Sequence, residues 1–342
     1  MEIKKYIFRA AAACCMGLAF AACGEEDLDP NSIFPTDVVE LDPQSSTYQL
    51  DKYLDEAFRQ TYNIQFRYKL QDVGTDMNYN LVPAKYENSV DLAVLTKYLW
   101  FDVYDRVVPD KNFMKTNAPR IIHLIGSPAV NPANGTIVLG LAEGGLKVSL
   151  FYVNEMDVSS IDNLNEFYFI TMHHEFAHIL HQTKTYPKNF DSLSVGHYDA
   201  LGWQDRDERV TASLGFVSPY ASGQPREDFA ETIARYITMR ENEWNTLLEN
   251  AAKGWELVGS SYVETEDFDG VDGVALINQK VEIARNWFRD AWGIDLDALR
   301  AEVQHVQDTY SLSVLEELRK QVYDIPVPGQ PETGNGETSV EQ

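Results

Sequence analysis

The histidines of this chain constrain its fold more than any other feature, because four of the seven lie within nine residues. The segment reads His173-His174-Glu175-Phe176-Ala177-His178-Ile179-Leu180-His181. Residues four apart lie on one face of an α-helix, so His174 and His178 can share one metal ion if the segment is helical. The spacing therefore predicts a helix here, with a two-histidine metal site on one face.

Glu175 gives this site a catalytic interpretation. Zinc accepts imidazole nitrogen at about 2.0–2.1 Å, and two histidines one helical turn apart can provide that geometry. A glutamate directly after the first histidine lies beside the open coordination position, where it can accept a proton from water. The chain's His and Glu frequencies give about a 1% chance of one accidental H-E-x-x-H pattern, so residues elsewhere must support it.

The neighbouring histidines do not supply a third ligand. An extended motif with a glycine and a third histidine just downstream is absent, since position 184 is Lys. His181 lies one turn beyond His178 and cannot close around a metal that His174 and His178 share. We interpret His181 as a surface residue or a partner of a ligand. The same interpretation applies to His173, which points about 100° away on the helical wheel.

Residues 225–237 offer a better third ligand. Pro225 suits the first turn of a helix, and Glu227 and Glu231 are four apart, so their carboxylates share one face. Acidic pairs of this kind usually lie on a solvated helix face. The alternative is that Glu227 binds zinc and Glu231 holds a metal-binding histidine through a hydrogen bond. The residues alone leave both interpretations open.

The first 23 residues predict export and a lipid anchor. Three basic residues precede an apolar stretch, Ala10 to Ala22, that is too short to span a bilayer. Ala21-Ala22-Cys23 places small residues directly before a cysteine and resembles a bacterial lipobox, in which Cys23 is lipidated. The alternative is an ordinary signal peptide with Cys23 incidental.

Charge and cysteine content exclude several classes of function. The full chain carries −25, and removal of residues 1–22 takes away three positive charges and one negative charge, which leaves −27. Nucleic acid and anionic membrane surfaces would repel such a chain, so we expect membrane contact only through the lipid. Cys14 and Cys15 lie in the leader. The mature chain can therefore form no disulfide and no cysteine-ligated metal site.

The chemical motifs together resemble known zinc peptidases. H-E-x-x-H followed by E-x-x-x-E on a second helix is similar to the gluzincin pattern, which Glu227-Asp228-Phe229-Ala230-Glu231 fits. Tyr220 lies seven residues before Glu227, the spacing at which lethal-factor-like peptidases carry a tyrosine that stabilises the tetrahedral intermediate. With the lipobox and Leu50-Asp51-Lys52-Tyr53, the chain resembles the Bacteroidetes lipoproteins called substrate import-associated zinc metallohydrolases, or zinc-binding metallopeptidases.

This resemblance implies a zincin-like fold, one zinc ion per chain and a peptide or protein substrate. It also implies a TonB-dependent importer and that importer's surface lipoprotein as partners. The acidic run Gly24-Glu25-Glu26-Asp27 resembles the signal that moves such lipoproteins to the cell surface, so an outer-membrane, surface-exposed location is expected. In the implied site, His174, His178 and Glu227 are the zinc ligands and Glu175 is the general base. Tyr220 stabilises the oxyanion, and Glu231 orients a zinc ligand.

Other functions compete with this one. The chain could be a zinc-containing lipoprotein that captures substrate for an outer-membrane importer without catalysis, or a hydrolase of glycopeptide or peptidoglycan. A purely structural metal site is a third alternative. Glu175 and Tyr220 argue against the capture module, which needs neither residue. Three ligands with Glu175 beside them describe an open coordination position, which argues against a structural site. The sequence does not separate peptide from glycopeptide substrates.

Apolar periodicity predicts an α+β fold with an N-terminal mixed sheet and a largely helical C-terminal portion. We expect a leader at 1–22, an acidic flexible tether at 23–45, the metallohydrolase domain at 46–324 and a disordered tail at 325–342. The strand Lys147 to Asn154 is the candidate edge for pairing with extended substrate. The predicted helices are 47–61, 88–107 and most of the chain after 162, and the predicted strands are 63–70, 120–125, 136–141 and 146–153.

Overall fold

The order of elements follows the predicted α+β pattern, with strands and helices mixed before the histidine-rich segment and mainly helices after it. The structure, a computed structural model, describes residues 40–70, 80–130, 137–138, 140–143, 146–266 and 270–329. The described residues from Pro43 onward belong to one compact unit. The predicted leader, Cys23, most of the predicted tether and residues 330–342 of the predicted tail lie outside the described residues.

We number helices and strands in chain order. The α-helices α1 to α12 are Tyr48–Leu54, Tyr86–Thr96, Asp102–Val107, Phe113–Asn117, Ile161–Leu164, Ile170–Thr183, Glu208–Ser213, Pro225–Thr238, Glu241–Ala251, Gly273–Trp287, Leu296–Thr309 and Leu312–Tyr323. The strands β1 to β8 are Gln65–Arg67, Ile121–Leu124, Ala129–Val130, Ile137–Val138, Gly140–Glu143, Lys147–Leu150, Gly254–Val258 and Ser261–Thr265. Single π-helical turns extend α1, α2 and α10 and precede α6: Asp55–Gln60, Lys97–Phe101, Phe288–Trp292 and Asn165–Phe169.

Both predicted N-terminal helices are confirmed. The first runs through α1 into its π-helical turn, and Leu50, Leu54 and Phe58 are buried along one side of it. The second begins at Tyr86, two residues earlier than predicted, and continues through α2, the π-helical turn and α3. Apolar periodicity therefore located these helices correctly, although it could not resolve the π-helical turns.

Within the described residues, the main sheet has four strands in the order β1-β2-β6-β5. Strands β1, β2 and β6 are parallel, and β5 runs antiparallel to β6. Parallel neighbours need a long connection, and helices α2 to α4 form the one between β1 and β2. The described strand β1 is shorter than the predicted strand 63–70, because only Gln65–Arg67 pairs with β2.

The prediction that Lys147 to Asn154 forms the sheet edge is wrong. Its strand, β6, pairs with β2 on one side and with β5 on the other. Strand β5, Gly140–Glu143, pairs antiparallel with β6, takes the end position of the described sheet and lies beside α6. The predicted strand 136–141 also divides, since Ile137–Val138 pairs with β3 in a separate two-stranded sheet.

The described C-terminal portion is largely helical, as predicted, and also contains the hairpin of β7 and β8. Gly259 at its turn has φ +67°, a conformation that favours glycine. Trp255 of this hairpin lies under the guanidinium of Arg209, whose carbon is 5.1 Å from the ring centroid. This cation–π contact fixes the hairpin to α7.

Aromatic packing fixes α6 against the N-terminal helices. The Phe176 ring meets the rings of Trp100, Tyr104 and Phe113 edge to face, with centroids 5.4, 5.2 and 5.8 Å away. Such pairs contribute about 0.5–1.5 kcal/mol each beyond the area that they bury. The helix that carries the histidines is therefore anchored on the side opposite its metal-site face, where Phe176 enters the core.

A buried ion pair fixes α8. Lys280 of α10 lies 2.7 Å from a carboxylate oxygen of Asp228, and neither side chain is exposed to solvent. Lys280 also donates to the carbonyl of Gly215 at 2.7 Å, and Tyr198 donates to Asp228 at 2.8 Å. A buried pair needs such additional hydrogen bonds to offset desolvation. Helix α8, which lies next to α6, is thus fixed at Asp228, one residue after Glu227.

Candidate metal centre

Three side chains from two helices converge at one point. His174 and His178 project from α6, and Glu227 projects from the first turn of α8. The two Nε2 atoms lie 3.0 Å apart, and each lies 3.1 Å from the Glu227 Oε2 atom. These three donors form a group that could hold a metal ion. The structure thus brings together the three residues that the sequence predicts as ligands.

The size and chemistry of this triangle fit zinc. Ligands placed tetrahedrally at 2.0–2.1 Å from zinc are separated by about 3.3–3.4 Å, close to the 3.0–3.1 Å observed between the three atoms. Two imidazole nitrogens and one carboxylate oxygen are a donor set typical of catalytic zinc sites. Three protein donors leave one tetrahedral position for water or substrate.

Glu231 contacts His174, the arrangement that the resemblance to gluzincins implies. Its Oε1 atom lies 2.9 Å from His174 Nδ1, the nitrogen that does not face the triangle. Its Oε2 atom accepts from the Ser218 hydroxyl at 2.5 Å and from Arg235 Nε at 3.2 Å. A carboxylate held on both oxygens can fix the orientation and tautomer of the imidazole that it contacts. The solvated-face interpretation of Glu231 is therefore wrong, because this side chain is buried.

A second histidine supports His178. His181 is buried, and its Nε2 atom lies 2.8 Å from His178 Nδ1. Of the two interpretations of His181, contact with a ligand is therefore the one that the structure shows. His173 fits neither interpretation, since it is buried in the core and its Nδ1 atom lies 3.0 Å from the hydroxyl of Tyr104.

The electrostatics of the centre favour a cation. Burial alone would lower the pKa of His174, but hydrogen bonds to Glu227 and Glu231 raise that pKa to about 10. Burial would raise the pKa of Glu227, yet the hydrogen bonds from His174 and His178 hold it well below its usual range. Glu227 is therefore ionised at neutral pH. A divalent ion that binds here must displace the proton of the His174 imidazole, so binding strengthens as pH rises.

Glu175 and Tyr220 both belong to this neighbourhood. The charge of Glu175 helps to raise the pKa of His174 and the pKa of Tyr220. Tyr220 begins the 3-10 turn Tyr220–Gly223, and its ring centroid lies 5.6 Å from that of His174. Burial, the charge of Glu227 and a hydrogen bond to Glu227 raise the pKa of Tyr220 well above its usual range. Tyr220 therefore keeps its proton at neutral pH.

Several contacts of the centre were not predicted from the sequence. Gln224 donates to the Oε1 atom of Glu227 at 3.0 Å. The Trp203 ring packs against Tyr220 with centroids 4.8 Å apart. Ser218 and Arg235 hold Glu231, as described above. Arg235 lies four residues after Glu231 on a helix, so the i,i+4 spacing could have identified that pair, whereas the loop residues left no local signal.

Comparisons with known proteins point to the family of zinc-binding metallo-peptidases. The family described as "Putative zinc-binding metallo-peptidase" matches residues 43–297. The chain is also similar to a crystal structure of a putative zinc-binding metallo-peptidase from Bacteroides caccae, with 38% sequence identity and a TM-score of 0.63. That similarity covers 79% of this chain and 93% of the other chain. No curated protein matches.

The fold and the centre together define a class. A helix with H-E-x-x-H, a second helix with an acidic donor, and a mixed sheet whose end strand lies beside the first helix are the features of a zincin-like metallopeptidase domain. The predicted α+β, zincin-like fold is thereby confirmed. The family match spans most of the chain, and the protein belongs to this family of zinc-binding metallo-peptidases.

Proposed function

We propose that the protein is a zinc-dependent peptidase of the gluzincin type that binds one zinc ion through His174, His178 and Glu227. The convergence of three donor atoms within 3.1 Å of one another carries this proposal. A structural zinc site has four protein ligands as a rule, whereas three donors with a neighbouring glutamate are typical of a catalytic site. Glu175 supplies that glutamate.

Each side chain then has a defined task. When bound, zinc supplies Lewis acidity, which lowers the pKa of water toward about 7 and polarises a carbonyl group. Glu175 accepts the proton of the attacking water and passes it to the leaving amine. Tyr220 keeps its proton and donates a hydrogen bond to the oxygen that becomes negatively charged. Glu231 and His181 orient the two histidines.

The end strand β5 provides a way to bind extended substrate. It stands at one end of the described sheet and lies beside α6, which carries His174 and His178. A peptide that adds to a sheet edge forms main-chain hydrogen bonds and lies in an extended conformation. This arrangement favours a peptide or protein over a compact substrate, and β5 replaces β6 as the candidate strand.

A panel of mixed peptides tests this function. We expect the purified protein to cleave at least some of them, a strong chelator to abolish cleavage, and stoichiometric zinc to restore it. Mass spectrometry of the products would identify the bonds that are cut. Zinc-loaded protein that leaves a broad panel intact would contradict peptidase activity and favour substrate capture. Cleavage of glycopeptides or peptidoglycan alone would favour the other alternative.

We further propose that the enzyme is held at the cell surface by a lipid on Cys23 and acts beside a nutrient importer. The lipobox and the acidic run after Cys23 support this location. Among the described residues, none of the helices combines the length and the hydropathy of a membrane-spanning segment.

A Cys23→Ser variant tests the lipid anchor. We expect it to lose labelling by a lipid precursor and to appear in the soluble fraction, because the thiol that carries the lipid is gone. Protease treatment of intact cells should remove the wild-type protein if it faces outward. A variant that is still labelled and still sediments with membranes would contradict the anchor.

A further inference from the structure

The buried hydroxyl of Ser218 contacts both Glu231 and the 3-10 turn that begins at Tyr220. Ser218 is only 6% exposed, and its Oγ atom donates to Glu231 at 2.5 Å. The same oxygen accepts a hydrogen bond from the backbone N–H of Ala221 at 3.1 Å. Glu231 holds His174, and Ala221 directly follows Tyr220 in the 3-10 turn. A single oxygen atom therefore links the support of a metal ligand to the turn that carries the tyrosine.

We propose that Ser218 is a positioning residue that couples the placement of Tyr220 to the orientation of His174. The tyrosine part of this proposal rests on the proposed peptidase function, and the zinc part does not. A hydroxyl has one proton to donate and lone pairs to accept with, and Ser218 uses both capacities. Removal of the hydroxyl would leave the Glu231 Oε2 atom with the longer hydrogen bond from Arg235 and would take the acceptor from the backbone N–H of Ala221.

Other contacts do not duplicate this link. Arg235 also contacts Glu231, but it lies on the same helix, α8, and its side chain is 34% exposed. Among the described residues, no contact joins Arg235 to the 3-10 turn that begins at Tyr220. Ser222 stabilises the turn internally, because its N–H and its hydroxyl both bond to the carbonyl of Pro219 at 3.0 and 2.7 Å. The phenol of Tyr220 forms a hydrogen bond with Glu227, but in the proposed reaction the same phenol must donate to the substrate. Ser218 anchors the backbone instead.

Ser218→Ala tests the proposal, with Ser222→Ala as a matched control. Ser222→Ala also removes a buried hydroxyl from this turn, but the carbonyl of Pro219 still accepts the hydrogen bond from the backbone N–H of residue 222. We expect Ser218→Ala to lower kcat about 10-fold with KM nearly unchanged. It should weaken zinc binding by up to about 10-fold, at or below the lower end of the range for residues that contact a ligand directly, because Ser218 acts on His174 through Glu231. Ser222→Ala should change both values by less than about twofold, and Ser218→Thr, which keeps the hydroxyl, should recover most of both.

A double-mutant cycle with Tyr220→Phe separates positioning from a general structural role. If Ser218 acts through Tyr220, adding Ser218→Ala to Tyr220→Phe at saturating zinc should lower kcat by less than about twofold. A full 10-fold loss in that background would overturn the coupling. Ser218→Cys introduces a thiol, a weak hydrogen-bond donor of similar size, and should give the same pattern. It replaces Ser218→Ala if the alanine variant does not fold.

Zinc affinity gives a readout that does not depend on activity. Competition with a chelating dye measures it for the whole protein, whether or not any peptide is cleaved. If no peptide is cleaved, the peptidase proposal fails, and the zinc comparison alone decides the role of Ser218. A selective loss of affinity in Ser218→Ala supports the link to His174, and equal affinities for Ser218→Ala and Ser222→Ala overturn it.

Discussion

Glu175→Gln is expected to reduce peptide hydrolysis by about 10²–10⁴-fold while zinc remains bound. The amide keeps the size and the helix propensity of the glutamate but cannot accept a proton from water. Glu175 is not one of the three converging donors, so its replacement leaves the metal ligands in place. The measurement is kcat/KM of wild type and variant on the same cleaved peptide, with zinc content determined for both.

Glu166→Gln is a suitable control for this experiment. Glu166 lies in the π-helical turn that precedes α6, and its side chain is exposed. Neutralising it changes net charge by the same amount without altering the centre, so its activity should stay near that of wild type. Equal rates for wild type and Glu175→Gln would show that the cleavage comes from another site or another protein.

Glu227→Ala is expected to remove zinc. Loss of a residue that merely supports a ligand typically weakens metal binding 10–100-fold, and loss of a ligand should exceed that range. His174 and His178 would remain as two imidazole donors without the carboxylate whose charge favours a cation. Elemental analysis after dialysis against a weak chelator should find about one zinc per chain in wild type and almost none in the variant.

Glu231→Gln provides the comparison within the same helix. Glu231 contacts His174 but is not one of the converging donors, so its replacement should weaken zinc binding only 10–100-fold. Affinity should therefore fall in the order wild type, Glu231→Gln, Glu227→Ala. Full zinc occupancy in Glu227→Ala would remove Glu227 from the set of ligands and would point to another third donor.

Helix periodicity explains why the residues of the centre could be selected from the sequence. His174 and His178 share a face because they are four apart on α6, and Glu227 and Glu231 share a face on α8 for the same reason. The approach of these two faces depends on tertiary packing. The resemblance to gluzincins, and not the spacing, indicated that the two pairs would meet.

Contacts between segments that are distant in the sequence cannot be predicted from local sequence patterns. Ser218 reaches Glu231 across 13 positions, from a turn whose geometry no periodic pattern encodes. The edge strand is wrongly predicted because chain order does not fix strand order, and β5 pairs with the side of β6 that does not face β2. The hairpin of β7 and β8 had a local signal, since Gly259-Ser260 is a two-residue loop typical of hairpins. The helical pattern around it obscured that signal.

Anomalous X-ray diffraction from crystals of the zinc-loaded protein, recorded on both sides of the zinc absorption edge, locates the metal and its ligands directly. We expect one strong zinc peak per chain, about 2.0–2.2 Å from His174 Nε2, His178 Nε2 and the nearer oxygen of Glu227. We also expect that no fourth protein side chain coordinates the metal. A peak elsewhere, a fourth protein ligand in the shell, or no peak at full zinc loading would contradict a catalytic zinc centre at this site.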